Sequence, residues 1–322
     1  MVEYSGNVRI LSSCKGDVLY VESDLETDGA MKKGKPSATA EGNAALRAAE
    51  WLRPEDERVC YDQFARRFLG LRFGVIVRSR LLTRIALWYA ERILPGAANS
   101  LVARTRYIDD YLKQCIADGI EQLVILGAGY DSRAYRFDGL KGKVRVFEVD
   151  HPDTQRAKKL KVKKIFGALP GHVTYVGLDL DEKKLGEGLL EAGYRKDQKT
   201  FFIWEGVTVY LTHEAVDETL AFVAGNSGKG SSIIFDYAFR FALDATSDSE
   251  EARKWRKAYE RRGEPPKFAL KEEEVEEFLS KRGFYQVKSV SMESLKKAYF
   301  KGVNEGRNVT HLGGIAQATV RK

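Results

Sequence analysis

The stretch LVILGAGYDSRAYRF, residues 123–137, decides how this chain folds. An apolar run leads directly into Gly127-Ala128-Gly129, and a helical segment is predicted after it. Because glycine has no Cβ, Gly127 and Gly129 can adopt positive φ angles and let a ligand approach the backbone closely. A strand, a glycine turn and a helix in this order are typical of the nucleotide-binding edge of a doubly wound sheet. A tight turn without a ligand is the simpler alternative.

Further apolar segments follow, at residues 144–150, 173–180, 200–204 and 231–237. Helical segments lie between them. This alternation predicts βαβ units and an α/β fold, with a mostly parallel sheet covered by helices on both faces. Two closing strands, at 285–292 and 313–322, are expected to form an antiparallel hairpin at the edge of the sheet.

Three regions of the chain differ in their pattern. Residues 1–40 are irregular, residues 41–117 carry apolar side chains at helical spacing, and residues 118–322 contain the sheet pattern. A polar, helical insertion interrupts the last region at about 239–266. We therefore expect a helical cap before the core and a helical lid within it, with residues 255–262 as the candidate lid segment. Cap helices are predicted at 44–53, 62–70, 81–94 and 103–119.

The composition limits the classes of protein to consider. Hydrophobic residues make up 43% of the 322 residues, and the net charge is +7. We see neither a membrane span nor a secretory signal and expect a cytoplasmic protein without a membrane partner. Cys14, Cys60 and Cys115 are too far apart for a disulfide framework or a metal site. The lysine-rich run 156–166 lacks interleaved aromatic residues, so we expect a solvated helix face and no nucleic acid partner.

Acidic residues stand at the ends of the second and third predicted strands. Glu148 and Asp150 end the second strand, and Asp150 follows Gly129 by 21 residues. That spacing is close to the one at which an acid binds ribose hydroxyls. Asp179 and Leu180 end the third strand and suit an adenine, although Asp179 could instead cap the following helix. Together these strand ends predict an adenosine-containing ligand.

The residues after the glycines discriminate between two such ligands. Ser132 stands where a dinucleotide site has its third glycine, and Asp131 precedes it at the start of the helix. A carboxylate there would repel a pyrophosphate and attract the ammonium group of a methionine. The pattern therefore favours S-adenosylmethionine, and a nicotinamide-dependent oxidoreductase is the alternative from another class.

Candidates for a general base are few. Glu205 directly follows the fourth strand. It would either face the same cleft as Gly127 or lie in a surface loop. Tyr210 and His213 follow it, although His213 could belong only to the start of the next helix. A carboxylate acceptor needs no base, whereas a hydroxyl does. The scarcity of bases and the positive net charge favour an anionic acceptor.

With these residues in view, the chain resembles the leucine carboxyl methyltransferase family of S-adenosylmethionine-dependent enzymes. This family includes the protein phosphatase 2A methyltransferase and the tetracenomycin polyketide O-methyltransferase. The resemblance implies a Rossmann-like class I methyltransferase fold. It rests on matching segments that follow one another in the family's order, at 36–50, 103–112, 126–137, 146–159, 177–180, 204–212, 233–237 and 267–284.

The resemblance also implies roles for single residues. Arg104 would bind the methionine carboxylate of the donor, with Arg106 as the near alternative. Gly127 would allow close approach and Asp150 would bind the ribose. Asp179 and Leu180 would hold the adenine end of the donor, and Glu205 would lie near its amino-acid end.

The segment EGVTVYLT, residues 205–212, resembles the bacterial and polyketide-type members more than the phosphatase-modifying branch. The expected activity is therefore O-methylation of a carboxylate or of a phenolic or other hydroxyl oxygen on a small, anionic, polyketide-like acceptor. A protein C-terminal carboxyl methyltransferase and a non-catalytic binding protein are the alternatives.

Overall fold

The computed structural model describes residues 37–179, 184–261 and 264–322. One eight-stranded sheet has the order β3-β2-β1-β4-β5-β8-β7, and the short β6 pairs with β5. β1 to β6 pair in parallel, whereas β8 runs antiparallel to β5 and β7. The predicted Rossmann-like sheet is confirmed. The strands are β1 Gln122–Leu126, β2 Arg145–Asp150, β3 Val173–Gly177, β4 Thr200–Trp204, β5 Ser232–Phe239, β6 Ala269–Leu270, β7 Phe284–Ser291 and β8 Gly313–Val320.

Helices precede the first strand and then alternate with the strands. α1 to α4 come before β1, and α9 and α10 fall in the segment where an insertion was expected. The residue limits of the cap, core and insertion remain predictions. The helices are α1 Ala38–Trp51, α2 Leu71–Arg78, α3 Arg80–Ile93, α4 Ala97–Ala117, α5 Arg133–Arg136, α6 Pro152–Phe166, α7 Leu185–Glu191, α8 His213–Gly225, α9 Arg240–Leu243, α10 Glu250–Glu260, α11 Val275–Ser280 and α12 Met292–Tyr299.

The sheet is buried on both faces. Leu123 and Ile125 of β1 join one core with side chains of α4, such as Ile108. Val124 and Leu126 join a second core on the opposite face, with side chains of α8. Successive side chains of a strand point to opposite faces, so a strand covered on both sides must be apolar throughout. This requirement explains why the strands could be predicted from continuous apolar runs.

The expected antiparallel pair at the edge of the sheet is confirmed, because β7 is the edge strand and pairs with β8. The connection between them, residues 292–312, is long and contains α12. One local expectation was wrong. The helix expected at 62–70 is a single 3-10 turn, Ala65–Phe68. There the carboxylate of Asp62 accepts hydrogen bonds from the backbone N–H groups of Phe64 (3.2 Å) and Ala65 (2.9 Å). The Asp62 side chain thus accepts hydrogen bonds from backbone N–H groups that would have no partner in the first turn of a helix.

The lysine-rich run is only partly a solvated face. Lys158 of α6 is completely buried, and its Nζ lies 2.9 Å from Glu148 Oε1 of β2. The same Nζ donates to the carbonyl oxygen of Ala128 (3.1 Å), while the Tyr135 hydroxyl donates to Glu148 Oε2 (2.9 Å). A buried lysine is tolerated because it is paired and hydrogen-bonded. This contact fastens the glycine turn after β1 to α6.

We predict that Lys158→Met lowers the free energy of unfolding by about 3–5 kcal/mol at about pH 8, because Glu148 then remains buried without its partner. Burial raises the pKa of Glu148 to about 7 even beside Lys158. When folding raises the pKa of a carboxyl group, the folded protein becomes less stable as the pH rises toward that pKa. The difference in the free energy of unfolding between the variant and the parent should therefore be smaller at about pH 5.5.

Urea unfolding at the two pH values measures this effect. The double variant Lys158→Met/Glu148→Leu is the matched control, and it should recover much of the stability because no unpaired charge remains. An equal loss in the single variant at both pH values would contradict the interpretation.

Candidate active site

A cleft of about 750 Å³ opens at the carboxyl ends of the parallel strands. We call it the main cleft. The start of α1 and the segment after α10 both line this cleft. A hydrogen bond joins them, in which the Thr39 hydroxyl donates to Glu264 Oε2 (3.2 Å). Its walls include the glycine turn and several acids predicted above: Gly127, Gly129, Asp131, Asp150, Asp179 and Glu205.

The glycine turn needs both of its glycines. Gly127 has φ +64°, and a Cβ there would lie 2.2 Å from Cγ2 of Val207. Gly129 has φ +38°, and its Cβ would lie 2.9 Å from Cβ of Ala40. Residues with side chains rarely adopt such φ values and would collide here. The two glycines therefore let the turn pack closely against Val207 and Ala40 at the wall of the main cleft.

Asp150 connects the tips of β1 and β2. Its carboxylate accepts hydrogen bonds from the N–H groups of Gly129 and His151, the latter at 2.7 Å. Burial raises its pKa, while these N–H groups and the nearby Lys158 oppose the rise. Asp179 stands beside it, with Oδ2 3.6 Å from His151 Nε2. Leu180 lies outside the described residues.

Glu205 is held between two arginines. Its Oε1 lies 2.9 Å from Arg104 Nε, and its Oε2 lies 2.7 Å from Arg133 Nη1. Burial alone would raise the pKa of Glu205, but the Arg133 and Arg104 guanidinium groups outweigh it and hold the pKa well below its usual range. Glu205 therefore stays ionised and is a poor general base.

These pairs belong to a larger set of buried charges. Arg104 Nη1 also binds Asp236 Oδ2 (2.6 Å), whose other oxygen accepts from the Gly206 N–H (2.6 Å). Arg133 Nε binds Asp109 Oδ1 (2.7 Å). The carboxylates of this set outnumber the guanidinium groups by one. We call it the arginine–carboxylate network, and its members are Arg47, Arg104, Arg133, Arg136, Asp62, Asp109, Asp131, Glu205 and Asp236.

A second cavity of about 380 Å³ adjoins the main cleft. Both are lined by Asn43, Arg104, Gly206 and Tyr210. Trp255, from the predicted lid segment, lines the second cavity. The other walls are largely apolar or aromatic and include Leu46, Tyr89, Ile93, Leu94, Leu101, Val209, Tyr259, Met292 and Leu312. The arrangement can hold two ligands that meet at Arg104 and Gly206.

Three predicted site residues lie elsewhere. Glu148 is completely buried against Lys158 and lines neither cavity, so its placement does not fit a donor contact. Arg106 points away from the cavities and pairs with Asp110 of the same helix at 2.8 Å. His213 is exposed and packs against the ring of Phe268. Glu148 and Asp150 share a face of β2, but Glu148 lies two residues before the tip of the strand, where Lys158 of α6 pairs with it.

The sequence analysis missed several residues of the arginine–carboxylate network. Asp236 follows the apolar part of β5, and the strand-end reasoning that selected Asp150 could have selected it. Arg47 of α1 donates through Nη2 to the carbonyl oxygen of Tyr130 (2.7 Å) and pairs with Asp62 (2.9 Å). No spacing links Arg47 to the glycine turn, because folding alone brings α1 there.

We predict that Gly127→Ala lowers the free energy of unfolding by about 1–3 kcal/mol, because the new Cβ would need a positive φ and would strike Val207. Chemical denaturation measures the change. Gly171→Ala is the matched control, since open space surrounds a Cβ there and its φ is not positive; its stability should change by less than about 0.5 kcal/mol. Equal stability of the two variants would contradict the role assigned to the turn.

Comparisons with known proteins show the family of this chain. A profile of the leucine carboxyl methyltransferase family matches residues 40–224. YktD of Bacillus subtilis, named as an S-adenosyl-L-methionine-dependent methyltransferase, is 34% identical over 67% of this chain and 70% of its own length. A Mycolicibacterium smegmatis protein named in the same way is 33% identical, over 69% of this chain and 68% of its own.

A solved structure from Thermobifida fusca, titled as that of a methyltransferase, superimposes with a TM-score of 0.57. The match covers 90% of this chain and 97% of that one at 14% identity, and it speaks for the fold alone. The nicotinamide alternative is thereby set aside. The profile match and the relatives confirm what the motifs predicted: the chain belongs to the leucine carboxyl methyltransferase family and is an S-adenosylmethionine-dependent methyltransferase.

Proposed function

We propose that the main cleft binds S-adenosylmethionine with its ribose on Asp150 and its methionine part beside the arginine–carboxylate network. The observation that carries this proposal is that the glycine turn and the Asp150 carboxylate, at adjoining strand tips, line the same cleft. Asp179 lines the same cleft and would contact the adenine.

The charge of the arginine–carboxylate network also fits this donor. S-adenosylmethionine carries a sulfonium, an ammonium and a carboxylate group, and so a net charge of about +1 at neutral pH. A network with one carboxylate in excess, placed in a low-dielectric wall, favours such a cation. Within the described residues, Arg104 Nη2 has no hydrogen bond, and we assign it to the donor carboxylate.

We propose that the second cavity holds the methyl acceptor. Of the described residues that line it, Arg104 is the one basic side chain, and Glu205 and Asp236 already pair with it. The walls therefore favour an uncharged, largely apolar molecule, which revises the anionic acceptor expected from the net charge. A phenol or other hydroxyl compound fits such a cavity better than a carboxylate.

The chain's own residues would then position the acceptor and take its proton. Bound S-adenosylmethionine supplies an electrophilic methyl group, whose bond to sulfur breaks as the bond to the acceptor oxygen forms. Asp236 lines the second cavity, whereas Glu205 does not. Within the described residues, Asp236 Oδ2 pairs with Arg104, while Oδ1 is bound by the Gly206 N–H and by no guanidinium group. We therefore assign the hydroxyl proton to Oδ1. Tyr210 lines both cavities and would orient the acceptor oxygen. Such positioning supplies much of the rate in a displacement of this kind.

We predict that Asp150→Ala weakens the binding of S-adenosylmethionine at least about tenfold, because the ribose hydroxyls lose their acceptor. Isothermal titration with the donor and with S-adenosylhomocysteine measures this. Asp138→Ala is the control, since that carboxylate is exposed and pairs with Lys141 far from the strand tips. Unchanged affinity in Asp150→Ala would overturn the donor placement.

The acceptor is tested by incubating the enzyme with donor labelled in its methyl group and an extract of the source organism. We expect label in small apolar compounds, bound as an alkali-stable ether. Label in protein, or loss of label in alkali as from a methyl ester, would favour the phosphatase-type reaction or a carboxylate acceptor. Donor binding without any transfer would favour the non-catalytic alternative.

The variant Asp236→Asn sharpens this test. Its amide oxygen can still accept from the Gly206 N–H, but the variant removes the one carboxylate in excess. Donor affinity should therefore fall, and rates are compared at saturating donor. The labelling rate should fall by about 10²–10⁴, because the proton acceptor is lost. Transfer at the parental rate would mean that the acceptor oxygen arrives already ionised.

A further inference from the structure

α2 and α3 present an apolar surface to the outside. Leu71 is 82% exposed, Leu81 67%, Trp88 58% and Tyr89 61%. Val75, Leu82, Ile85 and Ile93 are exposed beside them. A monomeric protein rarely exposes so many large apolar side chains on one pair of helices. We call this surface the α2–α3 face.

The charged side chains of the α2–α3 face are almost all arginine. Arg72, Arg78, Arg80, Arg84 and Arg92 are exposed, and none of them pairs with a carboxylate in the described part of the chain. The one acid of the two helices, Glu91, is engaged elsewhere, because its Oε1 accepts from the Gly96 N–H (2.9 Å). The Arg92 guanidinium lies 4.5 Å from the centre of the Trp88 ring, within the apolar surface.

The α2–α3 face is continuous with the second cavity. Tyr89 and Ile93 are exposed on α3 and also line that cavity, together with Ala90 and Leu94. They therefore stand at its mouth. An apolar molecule on this surface would enter the cavity past Tyr89 and Ile93.

We propose that the α2–α3 face binds the surface of an anionic lipid bilayer and takes up the methyl acceptor from it. Leucine, tryptophan and tyrosine side chains flanked by arginine are the composition of helices that lie in a bilayer interface. Arginine adds attraction to anionic headgroups. This revises the expectation of no membrane partner. Within the described residues no helix is long and apolar enough to cross a bilayer, so the contact is peripheral.

A second copy of the chain fits this surface less well. A two-fold interface places the same patch on both subunits, and here it would bring two sets of unpaired arginines together. An anionic lipid surface instead compensates the arginines while its acyl region accepts the apolar side chains. The route of the acceptor rests on the proposed function, whereas the lipid contact does not and is tested without donor or acceptor.

The test uses the full chain and sedimentation with vesicles of phosphatidylglycerol and phosphatidylcholine. We expect binding to mixed anionic vesicles, at least tenfold weaker binding to pure phosphatidylcholine, and weakening by salt. Arg80→Ser/Arg84→Ser should reduce binding at least fivefold. Lys163→Ser/Lys164→Ser, which removes two exposed charges of α6, is the matched control and should have a much smaller effect. Equal effects of the two pairs, or no binding at low salt, would overturn the proposal.

Trp88 gives a spectroscopic signature of the contact. Its fluorescence should shift to shorter wavelength on anionic vesicles, and Trp88→Leu should remove the shift while binding persists. Hydrogen exchange of residues 71–93 should slow only when anionic vesicles are present. Slow exchange in the lipid-free monomer would mean that residues 1–36 cover the face. A concentration-dependent dimer that Ile85→Glu abolishes would mean that a second copy does. Either result would overturn the proposal.

Discussion

The arginine–carboxylate network is the interaction on which the rest of this structure depends. It brings together α1 through Arg47, α4 through Arg104 and Asp109, the turn after β1 through Arg133, and the tip of β4 through Glu205. Each buried charge is tolerated only while its partners remain, because an uncompensated charge in the interior costs several kcal/mol. α1 and α4 are therefore fixed to the carboxyl edge of the sheet by charge as well as by apolar packing.

This arrangement also explains why the main cleft and the second cavity meet where they do. Arg104 lies at the shared wall, with Glu205 bound to its Nε and Asp236 to its Nη1. Asp236 in turn holds the Gly206 N–H, so the loop after β4 takes its position from the same contacts. A cationic donor on one side and an apolar acceptor on the other would face each other across these residues. The charge and shape of the walls are thus set by one connected group.

The second buried pair, Lys158 with Glu148, has a different task. It lies beneath the glycine turn and holds the carbonyl oxygen of Ala128. Gly127, Gly129 and Asp150 line the main cleft beside this pair. In the donor site that we propose, this rigid support would leave little ordering to the moment of binding.

Continuous apolar runs predicted the sheet, because strands buried on both faces must be apolar throughout. The glycines and acids that directly follow those strands predicted a cleft at their carboxyl ends. The sequence also contained the family motifs that supplied Arg104. Only the tertiary structure decided which acids face the cleft. Glu148 and Asp150 are two residues apart on β2, yet one is locked against Lys158 and the other lies at the tip of the strand. It also decided that Arg47 and Asp236 join the network and that Arg106 and His213 do not. Partners in a buried ion pair come from distant parts of the chain, so no local pattern can report them.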